Sequence, residues 1–138
     1  MIFALDPRLA ADTLAVGDLP LSRVLLMNDS RFPWLILVPR RGGLSELHDL
    51  SPQERAALIE ETALAGEKLK SLTRATKINT GALGNIVSQL HVHIVARLKG
   101  DAAWPGPVWG VGTVAPYASE AAKEQVRALA AALGLAGA

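Results

Sequence analysis

The chain has 138 residues, half of them hydrophobic, with 14 basic against 13 acidic side chains and no cysteine. That apolar share excludes a disordered chain, and a formal net charge of +1 gives no basic field of the kind that nucleic-acid backbone binding needs. Without cysteine there is no disulfide, thiolate zinc site or cysteine nucleophile.

The first residues, Met1 to Asp6, lack a basic region ahead of a long apolar run, so they do not read as a signal peptide. No apolar stretch approaches the length of a bilayer span. Together these set the expectation of a cytoplasmic protein with neither membrane nor nucleic acid as partner. Asp6 followed by Pro7 reads as the cap and first turn of a short helix. Thr13 to Val16 fits a short strand ended by Gly17-Asp18. Leu21 to Met27 and Trp34 to Val38 are strand candidates around the polar turn Asn28 to Arg31, which predicts an antiparallel hairpin.

Ser51, Pro52 and Glu54 form the start signal of a long helix, with Ser51 as cap and Glu54 at the capping-box position. Leu58, Thr62, Ala65, Leu69 and Leu72 recur at steps of three and four, the stripe of an amphipathic helix ending near residues 71–74. Lys77 to Asn79 begins another strand, interrupted by Gly81 and Gly84. A further strand is expected from about Gln89 to Arg97, then a loop rich in glycine and proline that carries Trp104 and Trp109. A C-terminal helix is expected over about 119–134, with Val126, Leu129 and Leu133 as its buried face. No repeat or linker interrupts the pattern, so residues 1–138 are expected as one domain, its motif-bearing core at about 1–110. The predicted fold is α+β: a mostly antiparallel sheet of about five strands with one long helix packed on it and the C-terminal helix beside it.

The run Gln89-Leu90-His91-Val92-His93-Ile94-Val95-Ala96-Arg97 holds two of the three histidines. Strand alternation sends Gln89, His91, His93 and Arg97 to one face and Leu90, Val92 and Ile94 to the other. The first face is expected to be open. Three meanings fit the pair of imidazoles. They are polar residues on a solvated face, two ligands of a metal ion, or a nucleophile with an acid–base neighbour. The metal meaning lacks a third ligand: no cysteine exists, and His48 has no spacing that argues for convergence. No metal and no cofactor are therefore expected.

The run Gln89 to Val95 resembles the signature of the histidine triad (HIT) family, in which three histidines alternate with apolar residues. The resemblance extends along the chain. Leu25 to Asp29 and Leu35 to Pro39 look like the family's strand pair, Pro52 to Ser71 like its long helix, and Asn79 and Gly84 like the amide and glycine ahead of the signature. One position departs: Gln89 stands where the family has its first histidine. Galactose-1-phosphate uridylyltransferases, a related branch, carry glutamine at the third place instead.

The resemblance implies a homodimer that binds a nucleotide or nucleotide conjugate and attacks its α-phosphate. His91 takes the nucleophile's place and His93 that of a hydrogen-bonding or proton-passing neighbour. Asn28 or Asp29 takes the place of a ribose ligand, with Asn79 and Gly84 at the phosphate; apart from the resemblance, the backbone amides near Asn85 suit an anion nest and the Arg97 guanidinium fork suits a phosphate. Gln89 can hydrogen-bond but carries no proton at neutral pH, so its expected part is to orient His91. The competing implication is a nucleotide-binding protein with little or no turnover.

Overall fold

In a computed structural model, which describes residues 1–135, local sequence signals start most of the elements. Residues 136–138 of the expected domain lie outside the described residues. Asp6 accepts a hydrogen bond from the Arg8 amide and Pro7 opens helix α1 (Pro7–Asp12). Strands β1 (Thr13–Asp18), β2 (Ser22–Met27) and β3 (Trp34–Pro39) follow as an antiparallel meander, with Leu25 opposite Ile36. A 3-10 turn, Leu47–Asp49, leads to the long helix α2 (Pro52–Thr73). Ser51 and Glu54 exchange side-chain and backbone hydrogen bonds of 3.1 and 2.9 Å at its start. Strands β4 (Lys77–Gly81) and β5 (Val92–Arg97) and helix α3 (Ser119–Ala132) complete the chain.

The five strands form one antiparallel sheet in the order β1-β2-β3-β5-β4, so the fold is α+β with β2, β3 and β5 as interior strands. Helices α2 and α3 pack on one face: α2 lies over β5, where Leu58, Ala65 and Leu69 share a core with Val92, Ile94 and Ala96, and α3 packs on β1 and α2 with Leu129 in the same core. Gly66 brings α2 close to the sheet: a β-carbon there would touch Ile78 and Ile94 at 3.6 and 3.9 Å. Leu72, which the helical stripe predicted as buried, is exposed: the buried face of α2 ends at Leu69, and Ala75 takes the next place in the core. Glu61 is buried instead. Its carboxylate accepts from the Leu21 and Ser22 amides at 2.7 and 2.9 Å and so caps the entry to β2. No helix among the described residues is long and apolar enough to cross a membrane.

The opposite face is covered too. Leu25, Phe32, Trp34, Ile36, Val38, Val95 and Val108 form a second core there, joined by Phe3, Leu5 and Trp109. All six residues of β3 are therefore buried, as expected of a continuous apolar run between two covered faces. The histidine face is thus not the open face that the sequence predicts: His91 and His93 are each only 6% exposed. The alternation itself holds, with Leu90, Val92 and Ile94 in the helix-side core.

The histidine strand is also shorter than expected. It begins at Val92 rather than Gln89, because its ladder with β3 stops at the Leu37–Val92 pair although β3 itself runs on to Pro39. The Leu90 amide donates instead to the Leu44 carbonyl, 3.0 Å away.

Candidate active site

His91 lies just ahead of β5, and its ring Nδ1 is 2.7 Å from the backbone carbonyl of Gln89. A carbonyl oxygen only accepts, so Nδ1 carries the proton. In the neutral ring Nε2 then keeps its lone pair. His93 has the opposite arrangement. The indole Nε1–H of Trp34 donates to its Nδ1 at 3.0 Å, and because indole only donates, the His93 proton resides on Nε2. The two rings stand 4.8 Å apart, edge to face. One strand thus presents a lone pair beside an N–H donor, each selected by a fixed partner on the far side of its ring.

Burial, and then the neighbouring His91, push the His93 pKa down from 6.5 to about 4, so His93 is neutral at physiological pH. Trp109 stands 5.4 Å from the His93 ring and 6.3 Å from Trp34. Gly81, opposite His93 in the β4–β5 register, makes room for that indole: a β-carbon would approach it to 3.2 Å. In the structure Trp109 packs against His93, and Trp104 lies under the Arg97 guanidinium at 5.7 Å.

A cleft of about 230 Å³ opens at His91, lined also by Ser45, Glu46, Leu47, His48, Ala82, Leu83, Gly84, Gln89 and Leu90. Gly84 has a φ of 77°, a conformation that favours glycine, and turns the chain at the cleft wall. His48, which has no role in the sequence analysis, reaches the same cleft. Asp49 fixes the 3-10 turn that carries it, accepting from the Ser45 and Glu46 amides at 3.1 and 2.9 Å. No local spacing signal could have found His48, since it meets His91 only through the fold. Asn85 is exposed beside Gly84 but is not among the lining residues.

Several expected ligands are engaged elsewhere. Arg97 is 1% exposed and pairs with Asp101 through two hydrogen bonds of 2.8 and 2.9 Å. Its third contact, 2.8 Å, is to Asn79 Oδ1. Arg97 and Asn79, expected around a phosphate, bind each other here, and with Asp101, which Arg97 also binds, they hold β4, β5 and the following loop together. The Arg97 guanidinium keeps the Asp101 carboxyl down at about 2.

Asp29 is fully buried under Arg31, which reaches its carboxylate at 2.7 Å. Burial alone would raise the Asp29 pKa, but hydrogen bonds from Arg31 and from the Arg31 and Ala115 amides more than offset it and keep the carboxyl below its usual range. Asp29 and Arg31 nonetheless border a cleft of about 210 Å³ together with Met27, Trp34 and Val108. Trp34 connects that cleft to His93. Asn28 accepts from the Tyr117 amide at 2.9 Å and faces a different groove, about 700 Å³, between β1 and α3. That larger groove contains none of the histidines.

The Gln89 side chain does not touch the His91 ring, contrary to expectation. Its Oε1 accepts from the Asp6 amide and its Nε2 donates to the Ala4 carbonyl, both at 2.8 Å. The group that orients His91 is the Gln89 main chain. Among the described residues, no three histidine or acidic side chains are placed to hold a metal ion.

The model of the HIT domain matches residues 8–100. Over 74 residues, 49% of this chain, the sequence is 39% identical to an AP-4-A phosphorylase of Mycobacterium tuberculosis. The match spans only 37% of that protein's length. Three solved structures are similar over nearly the whole chain. A histidine triad protein from Sinorhizobium meliloti has 50% identity and a TM-score of 0.90, covering 92% of this chain and 94% of that one. One from Bradyrhizobium japonicum has 44% identity and a TM-score of 0.93, covering 96% and 99%. One from Marinobacter aquaeolei has 42% identity and a TM-score of 0.95, covering 97% and 98%.

Proposed function

The chain belongs to the HIT domain family, and from that premise we propose that it is a nucleotide-phosphate hydrolase or transferase working through a nucleotidyl-histidine on His91. The observation that carries this reading is the hydrogen bond from His91 Nδ1 to the Gln89 carbonyl, which leaves the Nε2 lone pair for attack. Nε2 attacks the α-phosphorus of a nucleotide conjugate. A nitrogen–phosphorus bond forms, and the bond to the leaving group breaks with its electron pair. Water or another acceptor then attacks the adduct and returns His91 to its neutral form.

His93, held neutral, serves as an N–H donor to a phosphate oxygen rather than as a cation. Splitting the displacement into two steps lets one imidazole act as nucleophile and then as leaving group.

The nucleoside end is assigned to the cleft bordered by Asp29, Arg31 and Trp34, where Asp29 would accept from ribose hydroxyls once Arg31 swings aside. Gly84, with Asn85 beside it, would line the phosphate end. Gln89 stands at the place of the family's first histidine, and the second reading, a nucleotide binder with little turnover, follows from that departure alone. A cytoplasmic homodimer completes the proposal. It is supported by the free outer edge of β4 and the apolar groove beside it, formed by Leu47, Leu58, Ile59, Thr80 and Val92.

The deciding experiment incubates the protein with adenosine phosphoramidate, adenylate conjugates and dinucleoside polyphosphates. AMP release that His91→Ala abolishes supports the enzyme. Tight nucleotide binding with no AMP release from any of them supports the binder.

A further inference from the structure

We propose that the Gln89 side chain is a positioning residue that clamps an N-terminal strap, residues 3–6, against the segment leading into His91, and so holds the carbonyl that fixes the nucleophile's tautomer. This rests on the reading of His91 as nucleophile.

Gln89 lies outside the regular sheet, since β5 begins three residues later. No strand ladder fixes its peptide. Two other constraints do so. On one side the next amide, Leu90, donates to the Leu44 carbonyl. On the other, the Gln89 carboxamide binds Ala4 O and Asp6 N–H, both at 2.8 Å. In an extended segment, the carbonyl of one residue and the amide two residues on point to the same side, toward the place of a neighbouring strand. The carboxamide offers a donor and an acceptor at one tip and so replaces the missing strand. A neutral imidazole also has one donor and one acceptor, but on separate corners of a rigid ring, and does not meet both groups at once. This gives the glutamine a physical reason that a histidine at the same place would not satisfy.

The strap is anchored independently of Gln89. Phe3 and Leu5 pack into the second core, on the same sheet face as the histidines. The Arg23 guanidinium sits 5.5 Å over the Phe3 ring, and the Asp6 carboxylate caps α1. The strap therefore transmits the rigidity of β2 and α1 to the Gln89 peptide, whose carbonyl lies 2.7 Å from His91 Nδ1. If that carbonyl drifts, nothing selects Nδ1 over Nε2 as the protonated nitrogen, and the fraction of rings with a free Nε2 lone pair falls.

The test compares the wild type with Gln89→Ala, Gln89→His, Gln89→Glu, Phe3→Ser and the Gln89→Ala/Phe3→Ser double variant. The His91 tautomer is read from two-bond proton–nitrogen NMR correlations of the ring, strap docking from amide exchange at residues 4–6, and turnover from AMP release. Gln89→Ala, Gln89→His and Phe3→Ser should each lower kcat about tenfold with KM nearly unchanged, the signature of a loosened reacting geometry. Each should also weaken the His91 Nδ1–H signal. The double variant should be no worse than the more severe single one, because both cut the same link.

Gln89→Glu keeps the size of the side chain and serves should another variant fail to fold. At neutral pH its carboxylate has no proton for Ala4, so the strap amides should exchange faster. At acidic pH, protonation restores a donor and protection should return. Faster strap exchange with the His91 ring signal and kcat at wild-type values would overturn the proposal. If the wild type releases no AMP, the enzymatic reading fails on its own, and the ring signal alone decides whether the strap fixes the tautomer.

Discussion

The indole nitrogen of Trp34 lies 3.0 Å from Nδ1 of His93, and this one contact decides which nitrogen of the imidazole carries the proton. Trp34→Phe keeps an aromatic ring in the second core but removes the donor. With Nδ1 unpartnered, His93 is free to take the other tautomer, which turns a lone pair toward the phosphate. We expect kcat to fall by about 10–100-fold, the usual cost of losing a partner that orients a site histidine. Substrate KM should change little. Steady-state AMP release checks both parameters, and an unchanged kcat would remove Trp34 from the site.

His91→Ala should abolish turnover while nucleotide binding survives, since only the covalent step needs that imidazole. Intact-mass spectrometry of acid-quenched wild type should reveal a nucleotidylated protein, absent in His91→Ala. His93→Ala should retain residual activity, roughly 10²–10⁴-fold below wild type. An adduct that persists in His91→Ala would assign the nucleophile elsewhere.

The depressed pKa of His93 also makes a stability prediction. Its folded value is about 4 against 6.5 for the free side chain. Between those values the unfolded chain binds the extra proton and the folded chain does not, so acid favours unfolding. His93 therefore contributes its full stabilising difference above about pH 6.5. That difference is lost as pH falls through 4 and is on the order of 3 kcal/mol at most. Urea midpoints at pH 5 and pH 7 should differ, with pH 7 more stable. His93→Gln should shrink the gap, and an equal gap in the variant would place the titrating group elsewhere.

Arg97 and Asp101 form a buried pair, 2% and 7% exposed at their side chains. Removing one partner leaves a buried charge unpaired. Arg97→Ala should cost about 3–5 kcal/mol in chemical denaturation. The folded fraction should keep its nucleotide affinity, because the guanidinium faces Asp101, Asn79 and two aromatic rings rather than a cleft. A selective loss of affinity with stability intact would return Arg97 to the phosphate site.

By itself the sequence determined what depends on neighbours a few residues away. The caps of α1 and α2, the hairpin of β2 and β3, and the opposed faces of Leu90-Val92-Ile94 and His91-His93 follow from turn chemistry and the two-residue pleat. The histidine signature likewise identifies the family from adjacent positions. Tertiary structure decided what depends on partners far along the chain. Trp34 reaches His93 across 59 residues, and Gln89 reaches Asp6 across 83. His48 joins His91 at the cleft, and Arg97 turns inward because Asp101 and Asn79 neutralise and bind it there. The face that alternation marks as polar is closed by Phe3, Leu5 and Trp109, none of which lies on the histidine strand. A pleat fixes the direction of a side chain, whereas packing between distant segments fixes what meets it.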